Sequence, residues 1–295
     1  MMISFSVYAI FYSCVEVLTQ PVMHVYGASL LFYVNSVLKH DFNIGVFFCI
    51  MYCGSFALCI SMLATHFIYR YIAVSKNHLL YYFEGGKMYL WFLPPLLLFC
   101  IWGSSVFANF HPSDFKRDYF RNMTSEIYGE DIDQIAFIGI LYFTYGEDGN
   151  RIFRPTDILG ACLSCVIMSC CFSTCLTCAV LTYKKLNDVS IRMSKRTREL
   201  NRQLFWTLGL QTLLPCCTQY IPVGLIFLLP FLEFEIGKIG NFVGVGCCMY
   251  PALDPLVAIF MIDRFRTYLF KKKTAKVSGM STFSSDASSA DIQTH

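Results

Sequence analysis

Residues 44–65 read IGVFFCIMYCGSFALCISMLAT, twenty-two consecutive positions without a charge. A helix needs about 20 apolar residues to cross the hydrocarbon of a bilayer, so this stretch can span a membrane unaided. Working outward, comparable runs place six spans at about 1–22, 44–68, 88–108, 158–182, 204–230 and 239–262. Hydrophobic residues make up 56% of the 295 positions and charged residues 15%, against roughly a quarter charged in a soluble domain. That excludes a water-soluble globule. The expected fold is an all-α membrane helix bundle over 1–270, followed by a disordered cytoplasmic tail over 271–295. The tail is rich in serine; its hydroxyls are either phosphate acceptors or part of a plain solvated segment. The apolar run Ile135 to Tyr145 is only eleven residues long. It is too short to span and reads as an interfacial or lid segment inside a long loop.

Charge sets the orientation, because Lys and Arg are retained on the cytoplasmic side. The segments 70–87, 183–203 and 263–295 carry sixteen of the 23 basic residues. They define the inner face. The opposite face receives 19–43, the loop 108–157 with nine acids against five bases, and the turn 233–238. The sequon Asn122-Met123-Thr124 lies in that long loop, where an N-glycan is chemically allowed only on the lumenal side. Both termini are then cytoplasmic. The chain opens directly on apolar residues, with no basic n-region and with Glu16 inside the run, so the start reads as a retained helix rather than a cleaved signal.

All fifteen cysteines fall inside apolar runs, which argues against a disulfide framework. The Cys162/Cys165 and Cys175/Cys178 spacings share one uninterrupted run with no His to complete a zinc set. No metal and no cofactor is expected.

Three stretches carry more than hydropathy. His66-Phe67-Ile68-Tyr69-Arg70-Tyr71 closes the second span; an Arg among aromatics there is either a snorkelling anchor or a signalling contact. The polar lead-in from Arg198 to Gln203 runs into a span holding Gln211, Pro215 and Pro222. Pro215 removes a backbone hydrogen bond and should kink that helix, as a pivot or simply as packing. The last span holds Tyr250-Pro251-Ala252-Leu253-Asp254-Pro255. A carboxylate within a membrane is costly, so Asp254 either faces a functional interior or bonds backbone freed by the two prolines.

In order, HFIYRY after the second span, RQLFWTLGLQTLLP opening the fifth, YIP shortly after, and YPALDP in the last resemble the str-type seven-transmembrane chemoreceptors of nematodes, the family that includes the diacetyl receptor. The resemblance covers nearly the whole chain. It implies a G-protein-coupled chemosensory receptor of olfactory type in the plasma membrane of a sensory cilium, with a small-molecule odorant as ligand. It also implies that His66, Tyr69, Arg70 and Tyr71 face a heterotrimeric G protein, and that Tyr250, Pro251, Asp254 and Pro255 form the motif of the seventh helix. The chain departs from the family at its start, where MISFSVYAIFYSCVEVLTQPVMHVYG looks like the second helix, so the first of seven is expected to be missing. It departs again in the loop 108–157, which has no Cys to pair with Cys49 or Cys53. Something else must order that loop, and the run Ile135 to Tyr145 folding over the bundle is one candidate.

Topology alone also admits a six-span channel or transporter, and the departure at the start admits a truncated, non-functional receptor. A channel should show internal repeats and polar pathway residues, yet the intramembrane acids are only Glu16 and Asp254, at different depths. There is no glycine-rich phosphate loop, no HExxH and no GxSxG turn, so no catalytic residue is assigned and no enzyme is expected. Nothing suggests nucleic-acid binding.

Overall fold

The computed structural model describes residues 2–75, 77–83, 85–190 and 195–261. Its helices are α1 (Met2–Thr19), α2 (Phe42–Ser75), α3 (Leu93–Phe110), α4 (Asp114–Tyr128), α5 (Pro155–Ser190), α6 (Lys195–Pro215), α7 (Ile221–Phe231) and α8 (Asn241–Met261). Five short strands lie between them: β1 (Pro21–Tyr26), β2 (Ser29–Val34), β3 (Phe137–Leu141), β4 (Phe143–Tyr145) and β5 (Arg151–Phe153).

The central element is α2, which packs against α1, α3 and α5. The Asp41 carboxylate accepts from the Ile44 amide at 3.1 Å and caps its start. Along its length Ser55, Ser61 and Thr65 donate to carbonyls four residues back, those of Met51, Ala57 and Ser61. Such hydroxyls stay satisfied without water, as an apolar surrounding requires. Gly54 lets α3 close in: a Cβ there would lie 2.9 Å from the Phe99 ring. Prolines stand in the first turns of α3 and α5, where their missing N–H costs nothing.

Four segments, Phe42–Ser75, Gly85–Phe110, Pro155–Asn187 and Gly209–Phe231, are long and apolar enough to cross a membrane, and Ser6–Thr19 is a shorter apolar helix. Ile10, Leu96, Val166 and Phe242 turn outward with about half or more of their surface exposed. Lipid accounts for that exposure; water would penalise it. At 36 residues, α5 is roughly 54 Å long. It outlasts a hydrocarbon core of roughly 30 Å and carries its last turns beyond it.

The all-α expectation needs correcting at one end of the bundle. There β1 and β2 form an antiparallel hairpin with Tyr26 opposite Ser29, and β3 adds to β2 with Leu31 opposite Gly139. Gly27 in the turn has φ +51°, a conformation that glycine adopts without strain. The segment Ile135 to Tyr145, read as an interfacial lid, therefore supplies the edge strand of a sheet lying over the helices. Every residue of β3 is buried. Its backbone polar groups are bonded laterally, which a short apolar loop could not have managed. A two-stranded β4–β5 ribbon lies beside it.

The fifth span, expected as one helix over 204–230, is interrupted. α6 ends at Pro215, a five-residue π turn covers Cys216–Tyr220, and α7 begins at Ile221. Pro215 cannot donate and crowds the preceding turn. The backbone widens, and the Ile221 amide reaches back five residues to the Cys216 carbonyl. Packing confirms the fit: Gly246 of α8 rests on the π turn, where a Cβ would lie 2.7 Å from the Thr218 carbonyl oxygen.

Candidate functional site

Between the sheet and the bundle lies an apolar cavity of about 80 Å³. Leu30 and Phe32 of β2 and Ile138 and Ile140 of β3 roof it; Tyr52 and Phe56 of α2, Trp102 and Val106 of α3, and Val223 of α7 wall it. Aromatic edges set its shape, with Phe56 and Trp102 meeting edge-on at 5.7 Å and Phe32 lying 5.3 Å from Tyr52. Apart from the Tyr52 hydroxyl and the Trp102 indole N–H, these nine side chains offer no polar group to an occupant. The lining also includes the free Cys53 thiol, and the site can hold a small apolar molecule by contact and burial.

A polar corner beside the cavity is built from two helices. Tyr12 of α1 and Tyr52 of α2, both almost wholly buried, share a 3.0 Å hydrogen bond donated by Tyr12. Glu16, one turn further along α1, keeps a buried carboxyl oxygen without a partner among the described residues. The Tyr8 hydroxyl donates to the Ser55 carbonyl at 3.1 Å.

Above the roof, α4 is amphipathic and lies with its buried face on β3. Ser113 caps it through the Lys116 amide, and left-handed Gly129 ends it. Lys116 is 3% exposed and forms a 2.6 Å ion pair with Asp157, which is 1% exposed, at the start of α5. Its Nζ also donates to the Gly139 carbonyl at 2.8 Å and to the Asn109 carbonyl at 3.1 Å. Burial pushes the ammonium below its ordinary pKa, and the Asp157 carboxylate only partly restores it. The sheet is tied down further by Tyr142, which donates to the Phe227 carbonyl of α7 at 2.8 Å, and by His24, whose Nδ1 lies 2.8 Å from the Tyr128 hydroxyl. All fifteen cysteines are free thiols, so this cap is ordered by pairing, packing and charge.

The residues singled out in the sequence fall at several places. Asn122 is exposed on α4, while Thr124 of its sequon is buried and bonded to the Phe120 carbonyl at 2.8 Å. The HFIYRY stretch lies within the last turns of α2, which continues to Ser75. Arg70 there donates from Nε to His66 Nε2 at 2.8 Å, and Tyr69 meets Phe83 at 5.1 Å. Fourteen residues of helix separate Phe56 at the cavity from Arg70, roughly 21 Å. Tyr250 is buried in α8 within the main core. The side chains of Pro251, Asp254 and Pro255 lie outside the described residues, as do those of Arg198 and Arg202 and everything from 262 onward. The cysteines of α5 do not converge: Cys162, Cys165 and Cys170 are exposed, whereas Cys171, Cys175 and Cys178 are buried.

Sequence reasoning missed the cavity's roof and the Lys116–Asp157 pair. Signals for the roof's hairpin and for the helix that carries Lys116 were present. A glycine turn at Gly27 between Val- and Tyr-containing runs is a hairpin signature, and Ser113 with Gly129 brackets a helix. The partnership of Lys116 with Asp157 had no local signal.

A family model described as serpentine type 7TM GPCR chemoreceptor Str matches residues 1–270. The chain is 31% identical to "Serpentine receptor class r-10" of Caenorhabditis briggsae over 272 residues, covering 92% of this chain and 79% of that protein. It is 30% identical to the protein of the same name from Caenorhabditis elegans over 271 residues, with the same coverage. "G-protein coupled receptor str-33" of C. elegans is 26% identical over 272 residues, 91% of this chain and 79% of the relative. No solved structure matches.

Proposed function

The chain belongs to the Str family of serpentine seven-transmembrane G-protein-coupled chemoreceptors, and from that premise we propose that its ligand is a small apolar odorant held in the cavity beneath the sheet. It is a chemosensory G-protein-coupled receptor and a multi-pass membrane protein, in a family of receptors rather than enzymes, with a ligand and a G protein as partners. The single observation that carries the ligand assignment is the cavity, roofed by β2 and β3 and walled by α2, α3 and α7.

Its size limits what enters. A cavity of about 150 Å³ holds benzene, and this one measures about 80 Å³. The preferred ligands are therefore molecules of fewer than about six heavy atoms, unless the roof yields. A homologous series of straight-chain alcohols and ketones, tested on cells expressing the receptor with a reporter G protein, should show potency peaking at the shortest active members and falling as the chain lengthens. Potency that climbs steadily with chain length would count against this site.

The sheet-capped end faces outside and the His66–Tyr71 end faces the cytoplasm, with α1, α2, α3, α5, the α6–α7 pair and α8 as six crossings. The support is the distribution of basic residues and the length of the apolar helices. In this orientation the protein sits in the plasma membrane, and the family points to a sensory cilium. Asn122 then carries a glycan, attached before α4 folds, because the folded helix engages Thr124. Glycosidase treatment should shift the wild-type band and leave Asn122→Gln unmoved. An unshifted wild-type band removes the glycan.

At the inner end, Tyr69, Arg70 and Tyr71 meet the heterotrimeric G protein, with His66 orienting Arg70 through its 2.8 Å bond. Arg70→Ala should lower G-protein activation while surface level and ligand potency hold. An equal fall in surface level would make Arg70 a membrane anchor instead. The Tyr250, Pro251, Asp254, Pro255 motif and the Pro215 turn are the parts of α8 and α6 that would move between states. Their support is the close packing of Gly246 on Thr218.

A further inference from the structure

We infer that Lys116 is a positioning residue of the cavity: its ammonium sets the height of the roof strand β3 and ties that strand to the first turn of α5. An ammonium has three donors, and Lys116 directs them at three elements. The Asn109 carbonyl, 3.1 Å away, is among the last of α3, where carbonyls lack a partner within the helix. The Asp157 carboxylate, 2.6 Å away, stands in the first turn of α5, where a negative charge suits the helix dipole. The Gly139 carbonyl, 2.8 Å away, belongs to β3.

The third contact bears on function. β3 is an edge strand, with β2 on one side only, and Gly139 with its neighbours Ile138 and Ile140 lines the cavity. One turn along α4 from Lys116, the Phe120 ring fills the space where a Cβ on Gly139 would stand, 2.8 Å from it. β3 is thus gripped from above, its backbone by Phe120 and its carbonyl by Lys116, while its other face looks into the cavity. Asp157 also accepts from the Leu141 amide at 3.4 Å. A ligand that raises or settles the roof must stretch or relax these bonds, and the displacement reaches α5, which runs on for 36 residues toward the opposite end. This coupling rests on the cavity being the ligand site; the clamp itself does not.

A purely structural role would require only that no charge be left unpaired. Lys116→Met combined with Asp157→Leu separates the two, because it removes both buried charges and the bonds to Gly139 and Asn109 together; Arg154, which lies 3.6 Å from Asp157, is 29% exposed and passes to solvent. Hydrogen exchange is measured on the unliganded receptor in lipid nanodiscs. In the wild type, amides of 137–141 and of the first bonded turn of α5 should open together, as one cooperative unit. In the double variant, α2 amides should stay protected while 137–141 exchange at least about tenfold faster and out of step with α5. Wild-type protection of 137–141 in the double variant would overturn the proposal. So would independent opening of the two segments in the wild type, a result that stands even if the variant does not fold. An intact clamp in a receptor whose response ignores a filled cavity would instead remove the ligand reading and leave Lys116 in its role.

Discussion

Asp157→Ala is expected to lose about 3–5 kcal/mol of stability, because it strands a buried ammonium without its counter-charge. Lys116 is 3% exposed and its two remaining partners are neutral carbonyls, so nothing else neutralises it. A folded membrane protein has only a modest margin, and most of this variant should be retained inside the cell. Asp157→Asn, which can still accept from the Leu141 amide, should fall between wild type and Asp157→Ala. Surface fraction and melting temperature in detergent measure the order. Removing both charges, as in Lys116→Met with Asp157→Leu, should restore folding, since a paired apolar replacement is often neutral or better. Equal damage from the single and double variants would show that the charge is not what the single loses.

Val106→Phe separates binding from stability in the opposite direction. Val106 is 1% exposed and faces the cavity from α3. A phenyl ring in its place occupies the void that the ligand would use. Filling an apolar cavity commonly stabilises by about 0.5–2 kcal/mol, so this variant should melt at or above the wild-type temperature. Ligand potency should nevertheless drop by roughly 100-fold or more, a loss near 2.7 kcal/mol. A variant that is both less stable and less responsive would show only overpacking, and in that case Val223→Ile from α7 fills the same space more gently.

The membrane-spanning part of this architecture was open to reading because crossing a bilayer demands long uncharged runs, and 44–65 could hardly be anything else. Pro215 stands where the fifth span is interrupted, and the reason is local: a missing amide has its effect wherever a helix is continued past it. The π turn that results was not legible, since its width depends on Gly246 leaving room on a helix some thirty residues later. The sheet escaped because β3, five residues long, is apolar throughout and shows no alternation, so its periodicity does not distinguish strand from helix or loop. Lys116 and Asp157 were counted as two of many charges in a polar loop. Their pairing joins positions 41 residues apart through a fold that only the sheet and α4 together create. Tyr12 and Tyr52 were hidden in the same way, as two aromatics within two apolar runs.

The most direct test of the receptor reading is a single comparison of signalling. Cells expressing the chain are exposed to a panel of small volatile molecules, with and without a co-expressed G protein, alongside cells expressing Val106→Phe at matched surface level. The expected result is a response to at least one molecule that disappears without the G protein and is lost in the filled variant. A current or calcium rise that persists without the G protein, or a response that Val106→Phe leaves untouched, would contradict a G-protein-coupled receptor with its ligand beneath the sheet.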